Sequence, residues 1–92
     1  MTSPHLHEKR REPRRKANGA VRIRLEGPTT AEIEGRLVDL SPSGFRMRHG
    51  YVALASGQTV EFSHVEAAGR ARVMWNRVVG GHVETGFLVV GE

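Results

Sequence analysis

Three consecutive pieces decide the fold: Ala31-Glu-Ile-Glu-Gly-Arg-Leu-Val-Asp-Leu40, then Ser41-Pro-Ser-Gly44, then Phe45-Arg-Met-Arg48. In the first, Ala31, Ile33, Gly35 and Leu37 alternate with Glu32, Glu34 and Arg36, and Val38 carries the run on toward Leu40. Period two is the mark of a strand with one face buried, because successive side chains point to opposite faces. Pro42, Ser43 and Gly44 are turn residues, so the strand reverses there. Phe45 and Met47 then alternate with Arg46 and Arg48, which predicts a return strand.

The same period extends in both directions. Val21, Ile23 and Leu25 alternate with Arg22, Arg24 and Glu26 before a turn at Gly27-Pro28. After a loop from His49 to Gly57, with room for a helical turn around Val52 to Ala55, Thr59 to Ser63 reads as a short strand with Val60 and Phe62 packed. Ala71, Val73 and Trp75 are expected on one face of the next strand, with Arg70, Arg72 and Met74 on the other. Gly80-Gly81 is a two-residue hairpin signal, and Val83 to Val89 is the last strand. Six short strands separated by turn signals every 8 to 12 residues or so predict an all-β protein, a small six-stranded antiparallel β-barrel.

The length, 92 residues, suits one domain and is too short for a Rossmann or TIM-barrel enzyme. There is no cysteine, hence no disulfide and no thiolate chemistry. The longest apolar runs, Val52 to Ala55 and Phe87 to Val90, are too short to span a bilayer, and the first residues lack the apolar stretch of a signal peptide. A soluble, cytoplasmic protein without membrane insertion is expected.

Charge is unevenly distributed. Residues 1–24 carry eight Lys and Arg against Glu8 and Glu12, whereas residues 25–92 carry six Arg against eight acids. The net charge of +4 therefore comes from the N-terminal segment. Residues 1–19 have no apolar periodicity and contain Pro4 and Pro13, so they are expected to form a flexible basic tail, with residues 20–92 forming the barrel. A basic tail serves either an anionic partner or plain solubility.

Two segments carry candidate chemistry. In the tail, Arg10 and Arg14 are four apart, as are Arg11 and Arg15. Arg offers a planar fork that bonds phosphate or the guanine O6/N7 edge and stacks on bases. The second segment runs from Asp39 to Gly44. As a turn it needs only side-chain caps from Asp39 and Ser41 and a positive φ at Gly44. As a site it offers a carboxylate able to accept from guanine N1–H and N2–H₂ and a hydroxyl able to donate to phosphate.

Taken together the two segments resemble the PilZ family. Arg10-Arg11-Glu12-Pro13-Arg14 resembles the RRxPR form of that family's RxxxR motif, and Asp39, Ser41 and Gly44 match its [D/N]xSxxG. Ala71-Arg72-Val73-Met74-Trp75 resembles the family's A-x-V-x-W strand. Gly86-Phe87-Leu88 resembles its closing G-[V]-x-F strand with one residue fewer between Gly and Phe. The resemblance covers residues 8 to about 90. It implies a barrel that binds cyclic di-GMP, with no other cofactor, as a bacterial second-messenger receptor. The tail arginines would close over the ligand and the Asp-x-Ser-x-x-Gly segment would hold it from the barrel side. Carried over by position, Arg10, Arg14, Asp39, Ser41 and Gly44 are the site residues. Arg11 and Arg15 stand beside them because the doubled run leaves the register open. A downstream protein partner is implied.

No nucleophile elbow or oxyanion motif is present, so no enzyme is expected. His5 and His7 lack further ligands nearby and are weak metal candidates. His49, His64 and His82 read as loop or surface residues, and Trp75 and Phe45 as core. The alternative function is a small β-barrel nucleic-acid binder with a basic arm. Asp39 disfavours it, since a carboxylate suits a guanine edge better than a polyanion backbone.

Overall fold

Alternation becomes seven strands in the computed structural model, which describes residues 13–25, 31–50 and 54–91. They are β1 (Arg15–Lys16), β2 (Ala20–Leu25), β3 (Ala31–Ser41), β4 (Gly44–His49), β5 (Thr59–His64), β6 (Ala67–Val79) and β7 (His82–Val90). All pairings are antiparallel. The order β3-β2-β5-β6-β7-β4 returns to β3 through the β3–β4 pair, which closes a six-stranded barrel. Closure leaves no free edge on the six-stranded cycle as a whole. The described residues contain no helix, and among them no helix is long and apolar enough to cross a membrane.

β1 is the extra strand. It lies on the edge of β3 that β2 also uses, with Arg15 opposite Leu40 and Lys16 opposite Asp39. Backbone bonds Ala17 N–H to Val38 O, at 3.1 Å, and Leu37 N–H to Gly19 O, at 2.8 Å, continue the edge down to β2. The segment expected to be a flexible tail through residue 19 is thus attached to the barrel from Arg15 on. Residues 1–12, including Arg10 and Arg11, lie outside the described residues. So do residues 51–53, on which part of the expected helical turn falls; Leu54 and Ala55 are not helical.

The interior follows the predicted apolar faces. Val21, Ile23, Met47, Val60, Ala71 and Val73 are wholly buried. At the end of the barrel beneath the β3–β4 turn, Phe45 lies between Phe87 and Phe62, with ring centroids 4.7 and 4.8 Å away. Burying a side chain of this size contributes roughly 1.5–3 kcal/mol, so this aromatic trio is a large share of what holds that end shut.

Two departures from strict alternation matter. β6 carries one extra residue between Val73 and Trp75. A bulge of this kind turns the rest of the strand over, so Trp75 leaves the core for the outer face. There it sits opposite Gly86, and its indole covers the space that a Cβ at Gly86 would need. β3 carries a second bulge at Val38, between Leu37 opposite Met47 and Asp39 opposite Arg46.

The histidine reading also changes. β4 runs one residue past Arg48, so His49 turns inward and is buried. Its Nε2 lies 2.7 Å from Thr85 Oγ1, which in turn donates to Asn76 Oδ1 at 2.7 Å. The single hydroxyl hydrogen of Thr85 is committed to Asn76, so Nε2 of His49 is the donor. Asn76 Nδ2 donates to Leu54 O at 2.7 Å and ties the chain after residue 53 to β6. His64 is half-buried against Phe45 and Phe62.

Burial lowers the His49 pKa, and it lowers that of His64 against the opposing charge of Glu66. A depressed histidine pKa means that the unfolded chain takes up protons first as pH falls. Stability is then lost from about pH 6.5 downward, toward the folded-state values. Urea unfolding at pH 7.5 and 5.5 is expected to give a lower midpoint at pH 5.5. His49→Gln should remove part of that difference and leave the share of His64.

Candidate functional site

The turn after β3 is the shortest a hairpin allows. Only Pro42 and Ser43 lie between the paired Ser41 and Gly44. Val89 N–H donates to Ser43 O at 2.8 Å and fastens the turn to β7. Gly44 is not in the left-handed region; the described glycines with positive φ are Gly19, Gly57 and Gly80. The expectation that it supplies a positive φ is therefore corrected. A Cβ at Gly44 would collide with the carbonyl of Phe87, so glycine is required by the close approach of β4 to β7. Gly80 does use its freedom, at the first position of the predicted Gly80-Gly81 turn.

From this turn the side chains sort themselves. Leu40 and Phe45 enter the core, while Asp39 and Arg46, directly opposed, belong to the outer face. The Asp39 side chain is nevertheless only 7% exposed, because two guanidiniums cover it. Arg46 Nε donates to Asp39 Oδ1 and Oδ2 at 3.0 and 2.9 Å, and Arg46 Nη2 also bonds Oδ2. Arg14 Nε and Nη2 donate to Oδ1 at 3.3 and 3.1 Å from the residue just before β1. Burial alone would raise the Asp39 pKa. The bonds from Arg46 and then Arg14, with their charges, outweigh that and hold the carboxyl below its ordinary value. The same bond raises the pKa of Arg46.

Arg15, next in sequence, faces elsewhere. It forms a two-pronged pair with Glu66 in the β5–β6 turn, at 2.6 and 3.2 Å. The Ser41 hydroxyl lies 3.4 Å from the Gly44 carbonyl, a long contact within its own turn. Two grooves flank the turn. One of about 350 Å³ lies between Pro13, Arg14, Arg15 and Leu40, Ser41, Pro42. The other, of about 270 Å³, reaches past Arg15 and Ser41 to Gly44, His64 and Glu66.

Of the residues singled out in sequence, Arg14, Asp39, Ser41 and Gly44 gather at one end of the barrel. Arg15 lines both grooves from the side, and Arg10 and Arg11 fall outside the described residues. Arg46 was missed. Its signal is in the sequence: a two-residue turn pairing 41 with 44 also pairs 39 with 46, which puts an arginine opposite the aspartate. Among the described residues no group of three or more His, Cys, Asp or Glu could hold a metal ion. What the site offers is guanidinium charge, one masked carboxylate, one hydroxyl and two adjoining grooves. No family model matches the chain, and no curated protein matches it.

Three outcomes are expected from this arrangement. A folded-state pKa below the ordinary 3.9 or so means that Asp39 stabilises the fold fully above that pH. The contribution is lost as pH falls through the lower folded value. Urea midpoints should therefore drop below about pH 4, and less steeply in Asp39→Asn, with Glu66 keeping a share through its pair with Arg15. Arg46→Ala uncovers a buried carboxylate and is expected to cost roughly 1–3 kcal/mol in the same assay at pH 7. Gly44→Ala, read by thermal melting, should cost about 1–3 kcal/mol through overpacking against Phe87.

Proposed function

We propose that this protein is a PilZ-type receptor that binds cyclic di-GMP at the Asp39–Gly44 turn, with the arginines preceding β1 closing over the ligand. The observation that carries the reading is the contact of Arg14 with Asp39. These residues are 25 positions apart and come from the two motifs that the resemblance singles out. Arg14, at the described end of the first motif, and Asp39, Ser41 and Gly44 of the second lie at one end of the barrel beside two grooves.

The chemistry follows from the parts. Cyclic di-GMP presents two phosphates and two guanine edges. Asp39 accepts from guanine N1–H and N2–H₂, while Arg46, anchored from β4, keeps the carboxylate ionised and oriented. Arg14 is less buried than Asp39, with 41% of its side chain exposed, and it leaves the carboxylate to bond a phosphate oxygen or stack on a base. Arg10 and Arg11 add charge from the same segment, and Arg15 exchanges Glu66 for the ligand. The segment before β1 then reports occupancy to a downstream protein partner.

Calorimetric titration of the full chain with cyclic di-GMP, with GTP and a short DNA duplex as controls, tests the reading. Saturable binding of cyclic di-GMP that GTP does not displace is expected, with no binding of the duplex. Arg10→Ala, Arg14→Ala and Asp39→Ala should each weaken it about tenfold or more, the loss of one charge-assisted bond or more. Thermal melting separates binding from folding. A wild type that ignores cyclic di-GMP but binds DNA, more tightly still in Asp39→Ala, would replace this reading with that of a nucleic-acid binder.

A further inference from the structure

A second cationic feature lies on the same face, away from the Asp39 cluster. β1 and β2 occupy one edge of β3, and the chain between them, residues 17–19, passes opposite the Val38 bulge. The mismatch opens a groove of about 480 Å³ lined by Lys16, Asn18, Arg36, Val38 and Arg48 among others, with no acidic residue in its lining.

The charges of this groove are not balanced from within. Arg36 and Arg48 are directly opposed on β3 and β4, and both are exposed. Cross-strand like charges are destabilising, and antiparallel partners have Cα atoms only about 4.5–5.5 Å apart. Elsewhere several outward arginines are paired with acids, Arg22 with Glu34, Arg24 with Glu32 and Glu61, Arg77 with Glu84, although exposed Arg70 and Arg72 on β6 have no such pair among the described residues. Among the described residues, Lys16, Arg36 and Arg48 have no carboxylate within ion-pair distance. Asp39, opposite Lys16, is taken by Arg14 and Arg46, and Glu84, opposite Arg48, by Arg77. Asn18 Oδ1 accepts from Arg36 Nη2 at 3.2 Å and from Gly19 N–H at 3.2 Å, which steadies that guanidinium at the groove.

We propose that the groove between residues 16–18 and the opposed Arg36 and Arg48 is a phosphoryl-binding site, separate from the Asp39 turn, that takes a diphosphate or the phosphate end of a nucleotide. Two guanidiniums from opposed positions converge on one phosphoryl group and Lys16 supplies a third charge from the groove wall. Bound phosphate relieves the Arg36–Arg48 repulsion, so the geometry that is unfavourable when empty becomes the source of affinity. Arg36 lies three residues along β3 from Asp39, roughly 10 Å of strand, while Lys16 at the near end of the groove stands opposite Asp39. It does not depend on what the Asp39 turn binds.

The test is titration of the full-length protein with inorganic pyrophosphate and, separately, with ADP, followed by amide chemical shifts. Saturable binding with shifts centred on residues 16–18, 36 and 48 is expected. Arg36→Gln and Arg48→Gln should each weaken it about tenfold or more. Each substitution removes one of two like charges at directly opposed positions, so melting temperatures should hold or rise while affinity falls, a pair of signs that a damaged fold does not give. Equal affinities assign the site to the phosphoryl group alone, and tighter ADP binding to a nucleotide; either supports it. Absence of saturable binding, or binding lost in Arg14→Ala but intact in both glutamine variants, would overturn it.

Discussion

A carboxylate withdrawn from water on the outside of a small barrel is the constraint on which this end of the molecule depends. Asp39 is 5% exposed, and an ionised group so placed is costly unless paired and hydrogen-bonded. Arg46 and Arg14 together fill its acceptor capacity. One comes from β4 and fixes the hairpin; the other comes from the residue preceding β1 and fixes that segment to the barrel. β1 itself contributes only two residues of ladder, so the Arg14–Asp39 and Arg15–Glu66 pairs are what add specificity to its docking.

The core is coupled to this outer cluster by strand alternation. Asp39, Ser41, Gly44 and Arg46 occupy the outer face, while Leu40 and Phe45 reach the interior from between them. Phe45 stacks on Phe87, whose own carbonyl excludes a side chain from Gly44. Displacing the turn therefore disturbs the aromatic trio, and loosening the trio moves Asp39 relative to its partners. A site mounted this way is held by a rigid scaffold rather than by the loop itself.

Most of this was legible from period two alone. The apolar members of the predicted strands are buried through Val73, save half-buried Leu25, Ala31 and Val38, and Ser41-Pro-Ser-Gly44 is the turn that its composition indicates. What periodicity could not supply was the two bulges. An inserted residue leaves composition unchanged but reverses the sense of every later side chain, so Trp75 reads as core and stands on the outer face. His49 was misread for a related reason: Gly50 follows it, and a histidine beside a glycine looks like loop, although its position two residues after Met47 already assigned it to the inner face. Strand β1, inside the segment read as tail, escaped for another reason. Lys16 and Arg15 have no apolar alternation because β1 is held by backbone bonds and ion pairs and buries almost no side chain. Arg46 was legible in principle, by counting back from a two-residue turn.

The two partners of Asp39 are not equivalent, and the difference bears on how the proposed receptor would work. Arg46 reaches both carboxylate oxygens, with its side chain 28% exposed, from the middle of a barrel strand. Arg14 reaches one oxygen, from a residue outside any strand, with a side chain 41% exposed. Ion pairs with that much solvent contribute about 0–1 kcal/mol. Removing Arg14 leaves a carboxylate that is still paired with Arg46, and opens an acceptor position on Oδ1 to a guanine edge. Removing Arg46 would leave it supported only from a segment that has just been asked to move. In the proposed receptor, cyclic di-GMP binding by exchange at Arg14 would thus be the low-cost route: it would convert the ion pair that ties Arg14 to Asp39 into a contact that holds the same segment over the ligand.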